Sequence, residues 1–353
     1  MRAAIMGAGS IGMTTGALIL KNGGTVDLID SFVENVKALN EKGATVSGTL
    51  EFNIPAVALT PTQMTGIYDL VILLCKQTAS REALESLLPH LDKNSIVLTL
   101  QNGIPEETVA KYVGWERTMG GIVMFGATWK APGVVECTSD ADSMQNKVLF
   151  ILGEPSGEVT PRLLEVQKFL GQAGVCNITS HLMGERWLKV MINAAMSGMS
   201  AALGCTFGDV LDNDTALNCA AHIMDEAIKC CHAKGYHMEK LDQYDLEEQE
   251  LNSLSELPEK KQRIREIWNP HRKLKASMLQ DLEKGRRTEI DAIDGQVSAA
   301  GRDLGIPTPY SDMVVAVVKA AEQFKAVIPM ETGLRFFQVL DETVSGIKSL
   351  PQN

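Results

Sequence analysis

The feature that most narrows the fold stands at the amino end. Arg2-Ala3-Ala4-Ile5-Met6 is a short apolar strand, and Gly7-Ala8-Gly9-Ser10-Ile11-Gly12 follows it at once. A helical run continues to about Lys21, and a second strand over 25–29 ends in Asp30, 18 positions beyond Gly12. Strand, G-x-G-x-x-G, helix, strand and acid in this order predict a dinucleotide-binding βαβ unit. Gly7 would permit the tight turn, Gly9 the approach of a pyrophosphate, and Gly12 the close packing of helix on strand. The helix then opens at Ser10 and Ile11, where orphan N–H groups and the positive dipole end favour phosphate. The bland alternative is a glycine-rich turn with no ligand.

Asp30 adds information about the cofactor. A carboxylate here accepts hydrogen bonds from ribose hydroxyls and repels a 2'-phosphate. Ser31 follows it and the nearest basic residue is Lys37, so the local chemistry favours NAD(H) over NADP(H).

The alternation of strand and helix continues. Residues 69–74 are a near-continuous apolar run, as expected of a strand covered on both faces. A helix follows from Ala79 to about Leu91, then a strand over 95–100. Gln101-Asn102-Gly103 lies just past that strand and Lys76 just past the preceding one, where open parallel sheets bind ligands. An ordinary turn explains Gln-Asn-Gly equally well by spacing alone. Apolar runs at 122–125, 134–137 and 147–152 suggest antiparallel strands closing the sheet. A helix over 161–172 and a strand over 175–179 complete a Rossmann-type α/β domain, residues 1–180.

From His181 onward strands vanish and a mostly α-helical domain, 181–345, is expected. In the apolar stretch 185–200, Glu185, Lys189, Asn193 and Ser197 recur every fourth residue and share a helix face. The bland account is a surface Glu185-Lys189 pair with the other two solvated. The sharper account is a polar stripe lining an interdomain cleft, because buried polar groups need partners. The charge-dense segment 240–272 reads as a solvated helical excursion, with an oligomer contact or a substrate lid as the alternatives. Farther on, Asp281, Thr288, Glu289, Asp291 and Asp294 cluster, with a turn at Gly285 and a helix from about Thr288 whose apolar face is Ile290, Ile293 and Val297. Gly305-Ile-Pro-Thr-Pro309 then breaks the chain before a final helix, Tyr310 to about Lys325.

Composition sets outer limits. At 353 residues and 45% hydrophobic the chain suits two cores. A net charge of -11 disfavours nucleic-acid binding. Seven scattered cysteines contain no C-x-x-C pair, so neither a disulfide framework nor a metal site is visible. The vicinal Cys230-Cys231 reads as small buried thiols. The amino end has glycines and no small-x-small cleavage site, and no segment reaches the ~18 apolar residues of a membrane span. A soluble cytoplasmic protein with no membrane partner is expected, and the helical second domain with its charged segment suits a homodimer.

The motifs together resemble the ketopantoate reductase family over roughly residues 1–325. They are Gly7-x-Gly9-x-x-Gly12, Lys76, Gln101-Asn102-Gly103, Trp187-x-Lys189-x-x-x-Asn193, and Ser277-Met-x-Gln-Asp281 with Thr288-Glu289-x-Asp291. The resemblance implies NAD(P)H-dependent reduction of 2-dehydropantoate or a related 2-oxo acid. It further implies that Lys189 is the general acid and that Glu289 holds and polarises it. Asn193 and Ser277 would bind the substrate's carboxylate and oxygen groups. Asn102 would position nicotinamide and carbonyl, with Lys76 near both ligands.

Two departures stand out. Many members have a second asparagine where this chain has Ser197, and NADP-using members carry a basic residue where it has Asp30. Some relatives use NAD and yield D-2-hydroxy acids from branched or aromatic 2-oxo acids, which makes that activity the main alternative. A non-catalytic dinucleotide sensor and a reductase of imines or sugar acids are further rivals.

Overall fold

The computed structural model describes residues 1–348. Their internal contacts define two units, Met1–Gln101 with Pro105–Leu182, and Asn102–Ile104 with Met183 onward. A single boundary near residue 180 therefore misses one detail: three residues beyond the strand over 96–99 pack with the helical unit.

The first unit carries twelve strands among its described residues: β1 (Ala3–Met6), β2 (Asp27–Ile29), β3 (Ala44–Gly48), β4 (Phe52–Ile54), β5 (Val57–Leu59), β6 (Leu70–Leu73), β7 (Ile96–Thr99), β8 (Thr118–Val123), β9 (Ala127–Ala131), β10 (Val134–Cys137), β11 (Val148–Gly153) and β12 (Val175–Ile178). Eight form one sheet in the order β12-β11-β8-β7-β6-β1-β2-β5. β5, β2, β1, β6, β7 and β8 run parallel, with β11 antiparallel to β8 and β12 parallel to β11. The chain winds outward from β1 to β2 on one side, then returns to place β6 on the other. That reversal is a topological switch point, and Gly7 and Lys76 stand at the carboxyl ends of its two strands.

Both faces of this sheet are covered. Ile5, Leu28, Ile72 and Leu98 enter one core while Met6, Ile29, Leu73 and Val97 enter the other. Two-fold alternation of apolar side chains to opposite faces explains why these strands read as unbroken apolar runs.

One expectation for this unit is half right. The runs at 122–125 and 147–152 do pair antiparallel as β8 and β11. β10 instead leaves the main sheet, pairing parallel with β3 and antiparallel with β9 in a separate sheet of order β4-β3-β10-β9. Its exposure alternates between half-buried and buried, the pattern of a strand covered on one face rather than two.

The second unit is helical. Helix Leu182–Ile192 runs on without a break through a π-helical segment, Asn193–Gly198, into Met199–Leu203. The 20-residue helix Asp214–Ala233 crosses the core, buried over most of its length, including both thiols of Cys230 and Cys231. Ile290, Ile293 and Val297 are buried as expected. However, a 3-10 turn at Ile290–Ala292 intervenes, and the helix begins only at Asp294. The charged segment folds as 3-10 turns and one helix, Leu257–Trp268, which buries Ile264, Ile267 and Trp268. Pro309–Phe324 is not the last helix; Met330–Lys348 follows it, with Phe337 fully buried. Among the described residues no helix is long and apolar enough to cross a membrane.

Candidate active site

In the first unit the three glycines of the fingerprint do separable work. Gly7 has φ +103°, and a Cβ there would run into the Cys75 backbone. A Cβ on Gly12 would run into the Gly7 carbonyl, because the helix Ser10–Lys21 lies close on β1. Gly9 differs. Its φ of -72° suits any residue, and an added Cβ would meet no atom within 4 Å. Neither backbone nor packing calls for glycine here, which leaves a flat cradle at a helix amino end with no acidic side chain in its first turn. The first-turn N–H groups at Ser10, Ile11 and Gly12 have no intrahelical acceptor and suit an anion.

Asp30 directly follows β2, its carboxylate already oriented. One oxygen accepts from the Phe32 N–H at 2.9 Å and the other from Asn35 Nδ2 at 2.9 Å. Asn35 escaped sequence reading. It is buried, donates to the Ala8 carbonyl at 3.0 Å and accepts from the Gly133 N–H at 2.8 Å, joining glycine loop, acid and the β9–β10 turn. Its signal was available: in helix Val33–Lys42 the buried positions are Asn35, Val36 and Leu39, so a polar residue occupies the apolar stripe. Lys76 is exposed and precedes a 3-10 turn, Gln77–Ala79. Buried Gln101 fixes the adjoining loop by donating to the Cys75 carbonyl at 2.8 Å and to Ser80 Oγ at 2.7 Å.

In the second unit, Glu185, Lys189, Asn193 and Ser197 are all half-buried among mostly buried neighbours. Four-residue spacing drifts around an α-helix at ~100° per residue. The wider π turn rotates less per residue and corrects that drift from Asn193 onward. Such bulges are frequent at functional sites.

Lys189 is the electrostatic centre of the stripe. Burial, reinforced by the positive charge of buried Arg186, brings its pKa down to about 7, while the negative charge of Glu289 acts the other way. Burial, aided by Glu239, lifts Glu185 to about 7 as well. Glu289 itself is buried and accepts from Asn102 Nδ2 at 3.3 Å. The residue before it, Thr288, is held by Glu322, whose Oε1 accepts from the Thr288 N–H at 2.6 Å and hydroxyl at 2.7 Å. Ser277 is exposed at the start of helix Ser277–Glu283, which packs on the π segment carrying Asn193 and Ser197. Thus Lys189, Glu289, Asn102, Asn193, Ser197 and the Ser277 helix belong to one unit, and Gly7, Gly9, Ser10, Ile11, Gly12, Asp30 and Lys76 to the other.

Two family models match the chain: Ketopantoate reductase PanE/ApbA over residues 3–145 and Ketopantoate reductase PanE/ApbA C terminal over 181–322. A 2-dehydropantoate 2-reductase of Pyrococcus horikoshii is 31% identical over 326 residues, which are 91% of this chain and 98% of that one. The solved 2-dehydropantoate 2-reductase of Geobacter metallireducens is similar at a TM-score of 0.76 and 29% identity, over 91% of this chain and 100% of that one. The ternary structure of D-mandelate dehydrogenase with NADH and anilino(oxo)acetate has the same fold, with a TM-score of 0.78 at 24% identity over 92% and 99% of the two chains.

Proposed function

The chain belongs to the ketopantoate reductase PanE/ApbA family, and we propose that it reduces a small 2-oxo acid to the 2-hydroxy acid, with 2-dehydropantoate as substrate and pantoate as product. One observation carries the reading: Lys189 holds a pKa of about 7 in the same unit as Glu289 and Asn102. An ammonium poised near neutrality gives up its proton readily and balances a developing alkoxide.

The first unit fits a nicotinamide dinucleotide, since Gly9 leaves open a cradle that a Cβ would fill. When bound, that group supplies the hydride for the carbonyl carbon. The N–H groups of Ser10, Ile11 and Gly12 hold the pyrophosphate, and Asp30 takes the ribose hydroxyls. Lys76 adds a positive charge for the anionic ligands. Lys189 donates its proton to the carbonyl oxygen, and Glu289 steadies the ammonium. Asn102 orients Glu289 and the carbonyl, while Asn193, Ser197 and Ser277 grip the carboxylate and hydroxyl of the substrate.

Asp30 favours a second reading on the same chemistry, an NAD-dependent D-2-hydroxy acid dehydrogenase for a branched or aromatic 2-oxo acid. Its carboxylate is held in place by Asn35 and the Phe32 N–H, and would repel a 2'-phosphate. Following NADH and NADPH oxidation against 2-dehydropantoate and a 2-oxo acid panel separates the two. Fast turnover of 2-dehydropantoate supports the first. Preference for another 2-oxo acid with NADH replaces it by the second, and no turnover with any 2-oxo acid overturns both.

A further inference from the structure

We propose that the second unit carries a zinc site built from His232, His237 and Glu247, apart from the residues assigned to the reaction. The chain assembles it locally. His232 lies in the last turn of helix Asp214–Ala233, and Gly235, at φ +82°, reverses the backbone just after it. His237 thereby returns beside His232, with ring centroids 5.0 Å apart. A short loop closed by paired backbone bonds between Leu241 and Tyr244 then delivers Glu247 in a 3-10 turn.

The donors already converge. Glu247 Oε1 stands 2.9 Å from His232 Nε2, and Oε2 stands 3.3 Å from His237 Nδ1. One donor atom from each residue lies within 4.8 Å of the other two. With Zn–N and Zn–O bonds near 2.1 Å, tetrahedral donors sit roughly 3.4 Å apart, so the His232–Glu247 pair would open slightly and the His237 ring adjust by a small movement to complete the set. His237 is 81% exposed and can supply that movement, leaving the fourth position to water.

Two of the three ligands are held by their neighbours. The other ring nitrogen of His232, Nδ1, faces Glu250 Oε2 at 3.6 Å, an ionic contact longer than a hydrogen bond. Glu247 is steadied in turn by the Met238 N–H at 2.6 Å. Zinc fits this donor set of two imidazoles and a carboxylate better than magnesium or calcium, which prefer oxygen.

The site would clip the end of a core helix to the loop and turn that follow it, so its occupation should register as stability. The test uses the untagged full chain, stripped with a chelator and titrated with Zn2+ alone by calorimetry, with thermal unfolding in parallel. One equivalent should bind at about micromolar affinity or tighter and raise Tm. His237→Ala, at an exposed position, should weaken binding at least about tenfold and abolish the rise in Tm. Glu247→Gln should do the same, whereas His271→Ala should leave both unchanged. Absence of binding to the native chain, or equal affinity in a His232→Ala, His237→Ala double variant, would overturn the proposal.

Discussion

Asn102 donates its side-chain amide to Glu289 across 3.3 Å, although 187 positions separate them in the chain. The bond ties the Gln-Asn-Gly turn to the acid assigned to steady Lys189. If the pair works as one device, removing either partner disables most of what both contribute. Asn102→Ala and Glu289→Ala should therefore combine non-additively in kcat/KM, with a coupling of about 1–3 kcal/mol. Strictly additive losses in a double-mutant cycle would mean that the two residues act independently.

Lys189→Ala should lower kcat for reduction by roughly 10²- to 10⁴-fold while dinucleotide binding persists. The ammonium is the reactive form in reduction, so kcat/KM should fall as pH rises through about 7. The reverse oxidation needs the free amine and should fall as pH drops through the same value. A pH–rate series on the native enzyme and the variant checks both limbs, and an alkaline limb that survives in Lys189→Ala would assign it elsewhere.

Replacement of Gly9 and Gly12 by alanine should separate ligand approach from packing. Gly9→Ala meets no protein atom within 4 Å, so its Tm should stay close to native while dinucleotide affinity drops about tenfold or more. Gly12→Ala runs into the Gly7 carbonyl and should lower stability by about 1–3 kcal/mol. Thermal unfolding and fluorescence titration with NADH read the two quantities; a Gly9→Ala protein that binds normally would remove the cradle from the proposed site.

Asp30→Ala should shift the ratio of kcat/KM for NADPH over NADH upward by about tenfold, through loss of repulsion at the 2'-phosphate. Steady-state kinetics with both cofactors decide it. An unchanged ratio would mean that selectivity is set away from the end of β2.

Asp294 carries a stability test. It is fully buried, its carboxyl oxygens have no hydrogen-bond partner among the described residues, and a Cβ on Gly198 would meet Oδ1 at 2.5 Å. Burial drives its pKa well above the ordinary 3.8, opposed by its own backbone and reinforced by Glu226. The native state then keeps a proton that the unfolded chain releases, so this stability is present at low pH and declines as pH rises above 3.8. Asp294→Asn should gain on the native protein progressively from pH 4 to pH 8, reaching about 1–3 kcal/mol. Denaturant titrations at several pH values would show it, and a pH-independent difference would contradict the assignment.

Legibility followed the range of the forces involved. Gly12 answers to a clash with Gly7 five positions away and Gly7 to its own positive φ, and both-face burial makes β1, β6 and β7 unmistakable, so the dinucleotide fold was readable. β10 was misplaced because its partners β3 and β9 are only partly buried strands and one of them, β3, lies far off in sequence. Asn35 was visible in principle, as a polar residue in an apolar stripe. The widening at Asn193–Gly198 was not, since an apolar run looks alike in α and π turns. Helix Asp294–Leu304 starts after the 3-10 turn Ile290–Ala292, and nothing near Thr288 announces the distant Glu322 carboxylate that holds it.

The three residues Asn102–Ile104 have a consequence for how the chain is made. They leave the ribosome with the first unit but cluster with the second, whose Glu289 emerges far later. During synthesis Gln101 can already bond Cys75 and Ser80, whereas the Asn102 bond to Glu289 must wait for the second unit. A truncation after Leu182 would leave Asn102 without its Glu289 acceptor, whereas expressing the remainder alone would give a helical unit lacking one of its own pieces.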